Sequence, residues 1–202
     1  MSYRFKFAAT LLALSLAGTA VAQTPKVTRI RGDIVSSSAD TLTVHRRSGD
    51  TVVIALKPEL TVAAVKNVQL SDIKPGSFIG TAAKTGTDGK MTAMEVVVFP
   101  ESLRGTGEGH YDWDLGSNST MTNANVDSLL ESTNGRELKL SHKGGTNDVT
   151  VPTNVPVVTI IPATRADLVA GKSVFVVATP GAGDHYTAMR VIVEKDGIKP
   201  PM

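Results

Sequence analysis

The sequence predicts an all-β protein: two tandem small β-barrels, OB-like or similar, each with one short helical turn, following a cleaved signal peptide. Three observations lead there. Short runs rich in β-branched residues alternate apolar and polar side chains between Gly, Pro, Asn and Asp turns. The pattern occurs twice along the chain at a nearly constant offset. Finally, a lone small sheet exposes unpaired edges, which closure into a barrel removes. A two-sheet sandwich is the alternative architecture.

The segment before the first strand reads as an export signal. Arg4 and Lys6 form a short positive region, and residues 8–18 (AATLLALSLAG) are apolar but too short for a ~30 Å bilayer core. Ala20-Val21-Ala22 then supplies a small-x-small cleavage pattern, so the cut is expected after Ala22. The expected organisation is a signal peptide at 1–22, a first repeat at 23–99, an ordered connector at 100–122 and a second repeat at 123–202. With the signal removed, 19 basic and 19 acidic side chains remain from the 21 and 19 of the whole chain. No basic excess is then left to attract nucleic acid. No transmembrane segment is expected in the mature chain. The chain has no cysteine, so neither a disulfide framework nor a thiolate metal site can form. An exported chain of this kind fits the periplasm.

In the first repeat, residues 28–35 form a strand that ends at the serine run 36–38. Thr41 to Arg46 alternates, with Leu42 and Val44 on one face, and Ser48-Gly49-Asp50 turns the chain into a strand over 51–56. Residues 61–66 make a weaker strand. Ser71-Asp72-Ile73 reads as one helical turn stopped by Pro75-Gly76. Strands over 77–83 and 91–99 flank the hairpin signal Asp88-Gly89. The second repeat predicts strands near 123–130, 136–142, 147–152, 156–161, 173–179 and 185–194, with Thr164 and Asp167 spaced to cap its helical turn. Asp72, Ile73 and Gly76 match Asp167, Leu168 and Gly171 at an offset of 95, and Leu42 and Val44 match Leu138 and Leu140 at 96. A period this long indicates two domain-sized copies.

These motifs are a Gly-x-Ile/Val opening, Leu-Thr-Val, a hairpin, Leu-x-Asp-Ile/Leu-x-x-Gly and a closing Ala-Met-x-Val strand. Together they resemble a family of small bacterial extracytoplasmic β-barrel domains of unknown function that often occur in tandem. The resemblance spans about 28–99 and, more loosely, 123–194, where Asp127 and Ser128 fall near the expected opening glycine. It implies fold and compartment and brings no catalytic residues.

The connector holds the candidate site. It carries Gly105, Gly107, Gly109 and Gly116, together with Tyr111 and the chain's only Trp, Trp113. A flexible linker would carry no such aromatics, so the segment is expected to dock. If it is extended, Glu108, His110, Asp112 and Asp114 share one face, and Tyr111, Trp113 and Leu115 share the other. The plain expectation is a half-buried strand with a solvated charged face. Trp113, Tyr111 and Arg104 are the candidate ligand contacts, for a small ligand, a glycan or a periplasmic protein. Arg104 could alternatively pair with Asp112 or Asp114.

A second reading takes Glu108, His110, Asp112 and Asp114 as ligands for a divalent metal ion. A third is a hydrolase using Asp112 and Asp114. Catalysis is otherwise poorly served: there is no Gly-x-Ser-x-Gly elbow, and no helix follows Gly105-x-Gly107-x-Gly109 to receive a phosphate. His45, His142 and His185 read as surface or turn residues, and no two histidines lie within five residues of each other. The expectation is a non-enzymatic binding or structural protein.

Overall fold

The computed structural model describes residues 27–133 and 135–201. The expected signal peptide and its cleavage site lie outside the described residues. The chain is all-β. The strands are β1 (Thr28–Ser37), β2 (Thr41–Arg46), β3 (Thr51–Ala55), β4 (Val62–Asn67), β5 (Phe78–Thr85), β6 (Met91–Val98), β7 (Gly109–Asp112), β8 (Ser119–Ser132), β9 (Gly135–His142), β10 (Gly145–Pro152), β11 (Val157–Ala163), β12 (Ser173–Pro180) and β13 (His185–Val193). Single 3-10 turns cover Leu70–Asp72, Glu101–Leu103 and Arg165–Asp167. Two of these turns have the same lock: Asp72 accepts the backbone N–H of Gln69, and Asp167 accepts that of Thr164, both at 2.8 Å.

The strands close into five-membered barrels, but each ring mixes the two halves of the chain. In the first, β1, β2 and β3 are joined by β13 and β12; the parallel pair β3–β13 and the antiparallel pair β1–β12 complete the circle. In the second, β8, β9 and β10 are joined by β6 and β5 through the parallel pair β6–β10 and the antiparallel pair β5–β8. This corrects the expectation of tandem barrels at 23–99 and 123–202, because neither stretch closes a ring with its own strands alone. The reason lies in β4 and β11. They pair antiparallel with each other, centred on Val65 opposite Ile160, two positions 95 residues apart. β4 also joins β13 and β11 joins β6, so each half delivers its last two strands to the other half's ring.

The registers of the rings correspond closely. Val191 faces Val62 as Val96 faces Val157, and β6 and β13 carry bulges at Met94 and Met189, opposite Ala82/Ala83 of β5 and Val177/Ala178 of β12. Register also corrects the position of the opening glycine. Gly32 faces Val174 while Ala124 faces Ile79, so the counterpart of Gly32 is Ala124 rather than Asp127 or Ser128. At Gly32 a Cβ would stand 2.0 Å from the backbone oxygen of His45, so only glycine lets β1 approach β2 this closely.

Alternation decides what each ring buries. Ile30, Leu42, Val44, Ile54, Val176 and Val191 fill the first, and Ile79, Val96, Ala124, Leu138, Leu140 and Val149 fill the second. Leu168 and Ile73, each just after a 3-10 turn, join these cores at 4% and 0% exposure, contributing about 2 kcal/mol apiece. A third cluster lies outside the ring interiors: Val65, Val97, Val158, Phe175 and Ile192, with Trp113 packed against them. Among the described residues no helix is long and apolar enough to cross a membrane.

Candidate functional site

The segment between β6 and β8 is folded down, with a strand at its centre. Gly109–Asp112 pairs antiparallel with β8, placing His110 opposite Thr122 and Tyr111 opposite Met121. β8 begins at Ser119, so the connector ends four residues before the expected boundary at 122. The expected alternation holds from His110 onward: His110, Asp112 and Asp114 are exposed, while Tyr111, Trp113 and Leu115 are half-buried; Glu108, expected on the exposed face, is half-buried. Gly107 adopts φ +60° where the chain turns into this strand, and a Cβ there would stand 3.0 Å from the Asn123 amide nitrogen. That amide donates to the Thr106 carbonyl at 3.1 Å and to the Tyr111 hydroxyl at 3.3 Å. A tight bend follows. The Ser119 hydroxyl donates to the carbonyls of Trp113 and Gly116, and Asn118 takes a positive φ of 59°.

Trp113 sits in an aromatic and cationic stack. Its ring lies 6.1 Å from Tyr111 and 6.4 Å from Phe175, and the Arg29 guanidinium carbon is 3.9 Å from its centroid. Arg31 lies 5.5 Å from Trp113 and 5.0 Å from Phe175 and donates to Asp114 at 2.8 Å. Cation–π contact and ion pair together fix the arginine planes against the connector. Burial pushes the Tyr111 phenol up, against the pull of Arg29 and Arg190.

The four acid and imidazole candidates do not converge. Glu108 accepts the backbone N–H of Lys143 at 3.1 Å and lies 3.7 Å from its ammonium group. His110 hydrogen-bonds Thr122 at 2.8 Å, Asp112 faces outward, and Asp114 is drawn onto Arg31. Among the described residues no group of three His, Cys, Asp or Glu could hold a metal ion. At ~6.5–7 Å between same-face positions, an extended strand spreads such ligands apart. Arg104 pairs with Glu101 at 2.6 Å and donates to Asn125 and to the Gly76 carbonyl. Its expected pairing with Asp112 or Asp114 is thereby corrected: the preceding 3-10 turn puts Glu101 within its reach first.

Several residues escaped the sequence reading. His142, taken as a turn residue, stacks on His110 with ring centroids 6.1 Å apart. Burial, and then the neighbouring His142, lower the His110 pKa against the opposing pull of Asp112. Glu95, in the apolar run of β6, is 1% exposed, and neither carboxylate oxygen has a hydrogen-bond partner. Burial pushes it up to about 7, opposed by Arg31 and Arg47. Arg29, Arg31, Arg46 and Arg47 line one cavity of about 300 Å³ with Ser48, Asp114 and Leu115. The alternation of Arg29 and Arg31 along β1 was a usable signal. The arrival of Arg46 and Arg47 beside them depends on β1–β2 register. No family model, curated protein or solved structure matches this chain.

Proposed function

We propose that this chain is an exported, periplasmic, non-enzymatic binding protein, built from a duplicated OB-like barrel and related to the extracytoplasmic domains its motifs resemble. Its ligand is held where the connector meets the first ring. The observation that carries this reading is the docked connector. A segment with the only Trp stacked between Arg29, Tyr111 and Phe175 is a preorganised surface, and grooves between packed units are favoured ligand sites. Tyr111 and Trp113 shape that surface, while Arg104 serves to pin the connector's start to Glu101, Asn125 and Gly76.

The test uses Trp113 as the sole indole reporter. The protein is expressed with its own leader, and a mass beginning at Gln23 is expected in the periplasmic fraction. Titration with neutral oligosaccharides and with phosphate or sulfate compounds should shift Trp113 emission saturably without turnover of the probe. Emission that stays flat for every probe overturns the binding reading. Turnover abolished by Asp112→Asn and Asp114→Asn overturns its non-enzymatic part.

A further inference from the structure

The cavity beside the connector is lined by four arginines brought from two adjacent strands. Arg29 and Arg31 point the same way from β1, and Arg46 and Arg47 stand at the end of β2, which pairs with β1 up to Gly32 opposite Arg46. Their charges are only partly matched. Arg46 is held by Asp50 through its Nε and one terminal nitrogen, and Arg31 by Asp114 at 2.8 Å. Among the described residues, neither Arg29 nor Arg47 has a carboxylate within ion-pair distance. Two guanidinium charges are therefore left over in a concave space of about 300 Å³.

These groups are also held in place. The Arg29 guanidinium carbon stands 3.9 Å over the Trp113 ring, and Arg31, whose side chain is 9% exposed, lies between Trp113 and Phe175. The Arg31 Nε is buried without a partner, so its guanidinium is not fully satisfied by Asp114. Ser48 also lines the cavity, its hydroxyl donated to Asp50 at 2.6 Å. Planar donors with fixed orientation match the oxygens of a tetrahedral anion. A patch that served only to clamp the connector would need Arg31 and Asp114; Arg47, which is exposed, lies outside that clamp and acts on the buried Glu95 only at longer range than an ion pair.

We propose that this pocket binds an oxyanion of the phosphate or sulfate type, free or as the charged group of a larger molecule, between Arg29, Arg31 and Arg47. The inference rests on the binding role proposed above and names the ligand's chemistry.

The experiment measures binding of inorganic phosphate, inorganic sulfate, glycerol phosphate and uncharged glycerol to the mature protein, by calorimetry and Trp113 emission at low ionic strength. Saturable binding of the charged probes is expected, with none of glycerol. Binding should weaken at least tenfold in Arg47→Ala and in Arg29→Ala/Arg47→Ala, and remain unchanged in Lys139→Ala, an exposed residue on β9 of the other ring. Arg47→Lys should retain part of the affinity. Inorganic anions binding as tightly as glycerol phosphate would identify a free anion as the ligand; preference for the ester would identify a larger molecule. Charged-probe binding that survives Arg47→Ala with unchanged affinity overturns the pocket. So does absence of binding to any charged probe. If Trp113 then still responds to a neutral oligosaccharide, the anion assignment alone has failed and the binding reading stands.

Discussion

Gly80 and Phe175 occupy the same station in the two rings. Gly80 lies between Asn123 and Val97, and Phe175 lies between Arg31 and Ile192. Around them the two faces have been built in opposite ways. At Gly80 a Cβ would meet the Asn123 side-chain oxygen at 2.5 Å and the Phe99 ring at 3.0 Å, so the space is already filled from the sides. At Phe175 the strand supplies the bulk itself, and Trp113 stacks on it. Similarly, Glu95 faces Ala82 in one ring where Arg190 faces Val177 in the other, yet Glu95 is buried and Arg190 is exposed. The lesson is that a single connector cannot serve two like rings equally. It lies along β8 of one and stacks on Phe175 of the other, and residues at matched positions differ accordingly.

The largest expected effect comes from removing the first ring's side of this contrast. Phe175→Ala takes away a 3% exposed ring beneath Trp113, and should cost about 3–5 kcal/mol in urea unfolding. Trp113 emission should shift to the red as the connector loosens. A loss below about 1 kcal/mol would mean that the stack contributes little to stability.

Next is Glu95. In the folded chain it keeps its proton up to about 7, whereas its ordinary value is 4.5. Between those values the folded state binds more protons than the unfolded state, so stability falls as pH rises through that window and is flat above it. The span corresponds to roughly 3 kcal/mol. Glu95→Gln should remove this slope and leave the variant more stable than the parent at pH 8, as read by thermal or urea unfolding across pH. Parallel pH profiles for variant and parent would show that the carboxyl is not held protonated.

The smallest effect is at His110. Burial, then His142, lower its pKa from the ordinary 6.5. The unfolded chain therefore binds more protons near that value, and the contribution of neutral His110 is present above about pH 6.5 and lost as pH falls. His142→Ala should bring the His110 titration, followed by NMR, closer to 6.5 and soften acid loosening of the connector. No change in that titration would leave burial as its sole cause.

Strand positions and their inward faces were legible because both follow from local pattern. Leu42, Val44, Leu138 and Leu140 point into ring interiors as their alternation requires, and Asp72 and Asp167 close the helical turns their spacing suggested. The docking of Trp113 was legible too, since an indole beside a glycine run has little reason to stay in solvent. Arg104's partners were not, because Glu101, Asn125 and Gly76 meet it only after the chain has turned. Nor was the arginine pocket, which needs two strands in one register, or the meeting of His110 with His142 across 32 residues of chain.

By itself the sequence determined the all-β class, the strands, the faces they bury and the folded connector, since each depends on residues close together along the chain. Tertiary structure alone decided which strands share a ring. When two halves carry nearly the same edges, a strand finds equivalent hydrogen-bond partners in either, and local pattern cannot choose between them. The choice falls to β4 and β11, whose mutual pairing carries each half across to the other.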